Sequence, residues 1–121
     1  MQNRPALAAA TEFSILGPAT AVEHVLGMTE LGRGTILFVN GSSATQPNTN
    51  VAGTSIAFAG ESAYGAMLHE ALEPRNIRVG QVIIPGTIGG GDPQYAPEAL
   101  AEQLWAIHTE QRPFRTTIGV G

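Results

Sequence analysis

Gly34-Thr-Ile-Leu-Phe-Val-Asn-Gly-Ser-Ser43 is the stretch whose reading decides the fold. Thr35 to Val39 is an apolar run without polar alternation, too short for a helix and too apolar for a half-exposed strand. It reads as a strand buried on both faces, as in a parallel sheet with helices above and below. Asn40-Gly41 is a turn signal that delivers Ser42 and Ser43 to the strand's carboxyl end. Ligands of open α/β sheets sit at that end. The two hydroxyls are therefore the first candidate site residues, although Asn-Gly-Ser-Ser is also ordinary loop sequence.

Working outward, an N-terminal helix is expected from about Ala9 to Leu31, with Phe13, Leu16, Val22, Val25, Leu26 and Leu31 at helical spacing. Residues 1–8 read as a lead-in. Gly17-Pro18 should kink that helix, and Gly32 and Gly34 should end it. After the strand comes a polar loop, Ala44 to Gly53, long for a plain strand-to-helix connection. A second helix is expected from Thr54 or Ser55 to Leu72, with Ile56, Ala59, Ala63, Met67 and Ala71 along one side. Arg78 to Ile84 is the second strand, ended by Pro85-Gly86, and a glycine-rich loop to Asp92 follows. Pro97 opens a third helix with Leu100, Leu104 and Ile107 inward. Arg115 to Val120 would add a short third strand. The alternation predicts an α/β fold: a partial, Rossmann-like parallel sheet of three strands, with right-handed crossovers.

Composition narrows the function. A chain of 121 residues is one domain's length. It has no cysteine, which excludes disulfides, zinc-thiolate sites and cysteine nucleophiles. The net charge is −4 with no basic run, so neither nucleic acid nor an anionic membrane is an expected partner. All six basic residues are arginine, and the chain has no lysine. No stretch approaches the roughly 20 apolar residues of a membrane helix, and no secretory signal is recognisable. The expected location is cytoplasmic.

Residues 32–43, then Pro74-Arg75-Asn76-Ile77-Arg78-Val79, then Ile83-Ile84-Pro85-Gly86-Thr87-Ile88, together resemble the C-terminal half of a short-chain dehydrogenase/reductase. The resemblance runs from about Phe13 to Val120. It implies that residues 1–121 form a single domain equivalent to that half, without the N-terminal half and its glycine-rich dinucleotide fingerprint. The family's chemistry uses a tyrosine as general acid/base, a lysine four residues on that lowers its pKa, a serine that holds the substrate oxygen, and an asparagine in the preceding helix. Position by position, the asparagine falls on Ser14 and the serine on Ser42, or Gly41. The tyrosine falls on Thr54, with Ser55 its neighbour if the register slips, and the lysine on Phe58. A threonine hydroxyl has no accessible ionised form near neutral pH, and no lysine exists to change that. The family's usual proton transfer is therefore not expected of this chain.

The resemblance also implies an NAD or NADP cofactor, with Pro85, Gly86, Thr87 and Ile88 contacting the nicotinamide amide through backbone groups. Its pyrophosphate would be held by a helix belonging to the other half. The expectation is an atypical oxidoreductase half, not competent alone, acting on a small-molecule substrate. The alternative is a non-catalytic oligomerisation or small-molecule-binding module. Partners implied are the missing half or a second copy, since in this family the helices matching residues 9–31 and 54–73 form a dimer interface.

Other constellations are weaker. Gly53-Thr54-Ser55-Ile56-Ala57, with Asp92 and His108 downstream, mimics a hydrolase elbow but lacks a strand before the serine. His24, His69 and His108 fall on three different helices, and no metal site is expected from them.

Overall fold

The computed structural model describes residues 3–28, 34–110 and 112–119. Helix α1 spans Arg4–Thr11, a wide turn follows at Glu12–Leu16, and α2 spans Gly17–Met28. Then come β1 (Gly34–Asn40), α3 (Ala52–Leu72), β2 (Ile77–Ile83), α4 (Pro97–Thr109) and β3 (Arg115–Thr117). The N-terminal helix begins earlier than expected, at Arg4, because the Asn3 side chain accepts from the Ala6 N–H at 3.2 Å and Pro5 suits a first turn. The interruption expected at Gly17-Pro18 is there. The Gly17 N–H reaches back five residues to Glu12 O, a π-type turn. Proline has no N–H for the carbonyl four residues earlier, and a widened turn absorbs that loss. Of the expected helix end, Gly32 lies outside the described residues and Gly34 is the first residue of β1. Val120 also lies outside them.

All three strands are parallel, in the order β1-β2-β3, with Gly34–Asn40 paired against Ile77–Ile83 in unbroken register. Alternate residues feed two cores. Ile36, Phe38, Ile77 and Val79 pack with Val22 of α2 and Tyr64, Leu68 and Leu72 of α3. On the opposite face Leu37, Val82 and Ile84 pack with Leu100, Leu104 and Ile107 of α4. The sheet thus has helices on both sides, but β1 lies at its edge and is less buried than the apolar run at Thr35–Val39 suggested: of that run only Phe38 is buried, and Val39 is 48% exposed.

This arrangement corrects the expectation that both crossovers are right-handed. The strand order steps the same way twice, yet α3 and α4 lie on opposite faces, so the two crossovers have opposite hands. The segment from Ile84 to Ala96 is long enough to carry the chain round the sheet's carboxyl end to the other face.

The packing of α3 is close. A Cβ on Gly65 would come within 3.2 Å of both Phe38 and Phe114, and one on Gly60 within 2.5 Å of Ile15. Its inward side therefore holds Ala57, Glu61, Ser62 and Gly65, while Ile56, Ala59, Ala63, Met67 and Ala71 all face outward. At the other end of the sheet, Arg78 donates to the carbonyls of Ile107, His108 and Glu110, placing a cation at the carboxyl end of α4. Among the described residues, no helix is long and apolar enough to cross a membrane.

Candidate functional site

The carboxyl ends of β1 and β2 open into a cleft of about 720 Å³. Its walls are Gly41–Ser43 from the exit of β1, Gln46–Thr49 and Val51 from the loop, Thr54 from the first turn of α3, and Ile84-Pro85 from the exit of β2. The exit of β1 folds at once into a tight turn, with Ala44 N–H to Gly41 O at 3.1 Å and Gln46 N–H to Ser42 O at 2.8 Å. That turn holds the two serines beside the strand end.

The loop is clasped to the helix by Ser55. Its hydroxyl oxygen accepts from the Asn48 N–H at 3.0 Å, and the hydroxyl donates to Asn48 O at 3.2 Å. Ser55 is therefore committed to the loop, and Thr54 is the residue of the pair that lines the cleft. Ser42, Ser43 and Thr54 line the cleft together, and their hydroxyls have no hydrogen-bond partner among the described residues. Phe58, one turn further along α3, is half-buried. Ser14 is buried in the wide turn between α1 and α2 and is not part of the cleft lining.

Behind β1 and β2 lies a buried polar chain that sequence reasoning missed. Asn40 donates from Nδ2 to Glu61 Oε1 at 3.1 Å. Gln81 donates from Nε2 to Asn40 Oδ1 at 3.0 Å and to Ser62 Oγ at 2.6 Å. Arg115 closes the chain, Nε to Gln81 Oε1 at 2.8 Å. Among the described residues, every buried side-chain polar atom has a partner. One signal was available: Glu61 is the only Asp, Glu, Lys or Arg between Arg33 and Glu70. Burial pushes its carboxyl up from the ordinary value, and the Asn40 hydrogen bond offsets this only in part.

After β2 the loop is pinned rather than open. The Tyr95 ring lies so close to Gly86 that an added Cβ would stand 2.1 Å from it. Gly89 N–H bonds Tyr95 O at 3.0 Å, and Gly90 N–H bonds Thr87 O at 3.2 Å. Thr87 and Ile88 are consequently held on the surface beside the cleft's Pro85.

Neither the histidines nor Tyr64 build a second centre. His69 Nδ1 bonds Val79 O and His108 Nδ1 bonds the Thr35 hydroxyl, so these two are tied to the sheet. No group of three or more metal-binding side chains occurs among the described residues. Tyr64 packs edge-on against Phe38, and burial, with the Glu23 carboxylate adding to it, raises its phenol pKa away from the proton-transfer range.

No family model matches the sequence, and no curated protein matches it. Solved structures do match the fold. A short-chain dehydrogenase from Rhodopseudomonas palustris superposes with a TM-score of 0.78 at 20% identity, over 98% of this chain and 54% of that one. A short-chain dehydrogenase from Streptomyces avermitilis gives a TM-score of 0.82 at 19% identity, over 98% and 54%. The chain thus has the fold of part of a short-chain dehydrogenase and spans about half the length of these structures.

Proposed function

We propose that this chain supplies the substrate side of a short-chain-dehydrogenase-like, NAD(P)-dependent oxidoreductase and does not complete the reaction alone. The observation that carries the reading is the cleft itself. Ser42, Ser43 and Thr54 meet Pro85 at the carboxyl ends of two parallel strands, the place where open α/β sheets hold ligands. A substrate oxygen there would accept hydrogen bonds from the serine and threonine hydroxyls. What those hydroxyls do is orient; none is matched in acidity to moving a proton at neutral pH.

A nicotinamide cofactor fits this chain at one end only. The backbone of Gly86–Ile88, kept in place by Tyr95, is suited to hold a carboxamide. Among the described residues, the glycine-rich loop after β2 does not open directly into an α-helix, since α4 starts only at Pro97, so it presents no helix amino end for the pyrophosphate. When bound, such a cofactor supplies or takes up a hydride, and this chain's residues would only fix where that happens. The other half would seat on the outer edge of β1, which ends the sheet among the described residues. The hollow formed by Thr35, Leu37, Leu104 and Trp105 adjoins that edge.

A second reading has its own observation. Phe13 (84% exposed) and Leu16 (50%) of the wide turn, with Ile56 (52%) and Met67 (65%) of the neighbouring α3, leave large apolar side chains in water. A second copy covering them would make the chain an oligomerisation module. Titration with NADH and NADPH, followed by nicotinamide fluorescence alongside the mass in solution, separates the two. Micromolar binding supports the oxidoreductase reading; no binding together with a stable dimer supports the module.

A further inference from the structure

We infer that the cleft at the strand exits selects an uncharged, polyhydroxylated ligand, of the sugar or cyclic-polyol class, over its phosphorylated or carboxylated counterparts. This rests on the reading of that cleft as the substrate site, and it names the class of substrate.

The lining contains no Asp, Glu, Arg or His side chain. What it offers is hydroxyls, from Ser42, Ser43, Thr49 and Thr54, the carboxamides of Gln46 and Asn48, and an apolar wall that includes Ile84. None of those four hydroxyls has an internal partner among the described residues, so each is free to donate to and accept from a ligand. A hydroxyl pairs equally well with a ligand hydroxyl or carbonyl, whereas a ligand charge entering the cleft loses water and meets no countercharge. The nearby carboxylate, Glu61, is turned away to Asn40 behind the sheet. The chain's net charge of −4 adds a general bias against anions. One feature pulls the other way. The amino end of α3 borders the cleft at Thr54, and a helix end of this kind favours an anion by about two- to fivefold. With no cationic side chain beside it, that preference does not offset the lost hydration of a phosphate.

The test uses the 121-residue chain and its amide proton–nitrogen correlation spectrum, with D-glucose and myo-inositol set against glucose 6-phosphate and gluconate. The neutral ligands should shift amides at residues 41–54 and 84–87, equally at about pH 6 and about pH 9, since no lining group titrates between them. Thr54→Val, which keeps the shape and removes the hydroxyl, should weaken this binding about three- to tenfold. A charged counterpart binding the cleft more tightly than its neutral partner would overturn the inference. So would neutral ligands that leave the cleft amides unmoved at every soluble concentration. NADH provides the separation from the underlying reading. If it shifts Gly86–Ile88 while the neutral ligands fail, the ligand class falls and the site stands. If both fail, both fall.

Discussion

Replacing Gln81 by leucine tests the buried polar chain most sharply. Gln81 is 1% exposed and holds three side-chain hydrogen bonds, two donated by Nε2 and one accepted by Oε1. Leucine of similar size removes all three and strands two buried acceptors, Asn40 Oδ1 and Ser62 Oγ. Each stranded buried group costs about 1–3 kcal/mol. Arg115 is exposed and regains water, so its loss adds little. The extra apolar surface of leucine returns roughly 1 kcal/mol, leaving a net loss of about 1–5 kcal/mol. A domain of this size has about 5–15 kcal/mol in total. With a urea slope of about 2 kcal/mol/M, the midpoint should fall by about 0.5–2.5 M. Ser62→Ala in the same background gives the cycle: once Gln81 is leucine, removing Ser62 Oγ should cost about 1 kcal/mol less than in the parent. Urea unfolding followed by circular dichroism reads both quantities. A loss under about 0.5 kcal/mol, or simple additivity of the two changes, would refute the reasoning.

Glu61 should give the fold a pH dependence of definite sign. Burial raises its carboxyl above the ordinary 4.5, so the folded state holds the proton more tightly than the unfolded chain does. That contribution is complete below the unfolded value and is lost as pH rises through the folded one. Glu61→Gln keeps an acceptor for Asn40 and cannot ionise, so its stability relative to the parent should rise across that window. A difference flat with pH contradicts the assignment. Gly86→Ala would drive a Cβ to between 2.1 and 2.7 Å of the Tyr95 ring. Tyr95 must be displaced, at about 1–3 kcal/mol, with a change in its ring-proton shifts; unchanged shifts would show that the ring does not pack there. Phe38→Ala removes a buried ring that meets Tyr64 edge-on at 6.1 Å, and should cost about 3–5 kcal/mol in thermal or urea unfolding. A loss under about 1 kcal/mol would mean that α3 does not sit on β1 as described.

The strands and covering helices were readable because their signals are local. The unbroken apolar run at Thr35–Val39, the breaks at Pro74 and Pro85-Gly86, and Pro97 at a first turn each act within a few residues. The facing of α3 was not readable in that way. Its apolar positions at Ile56 and Met67 suggest a core stripe, yet they point outward. The helix lies so near the sheet that only small residues such as Ala57 and Gly65 fit between them. Glu61, Ser62 and Gln81 were missed for another reason. Their partners lie 21, 19 and 41 residues away in sequence, as Glu61–Asn40, Ser62–Gln81 and Gln81–Asn40, and no periodicity reports such pairings. The grouping of Ser42 and Thr54 beside Pro85 needed the family resemblance. Neither residue type nor spacing says that a loop and a helix start converge on a strand exit.

The account depends on β1 being the exposed edge of an incomplete sheet. Ile84 N–H bonds Asn40 O at 2.8 Å, so Asn40 turns its backbone groups toward β2. Alternation along a parallel strand then sends those of Phe38 and Ile36 the same way and those of Thr35, Leu37 and Val39 outward. Amide hydrogen exchange on the purified chain measures this residue by residue. The account predicts alternation, with Thr35, Leu37 and Val39 exchanging fast and Ile36, Phe38 and Asn40 slow. Uniformly slow exchange along the strand would show its outer edge already covered, and would contradict the claim that this sheet awaits its other half.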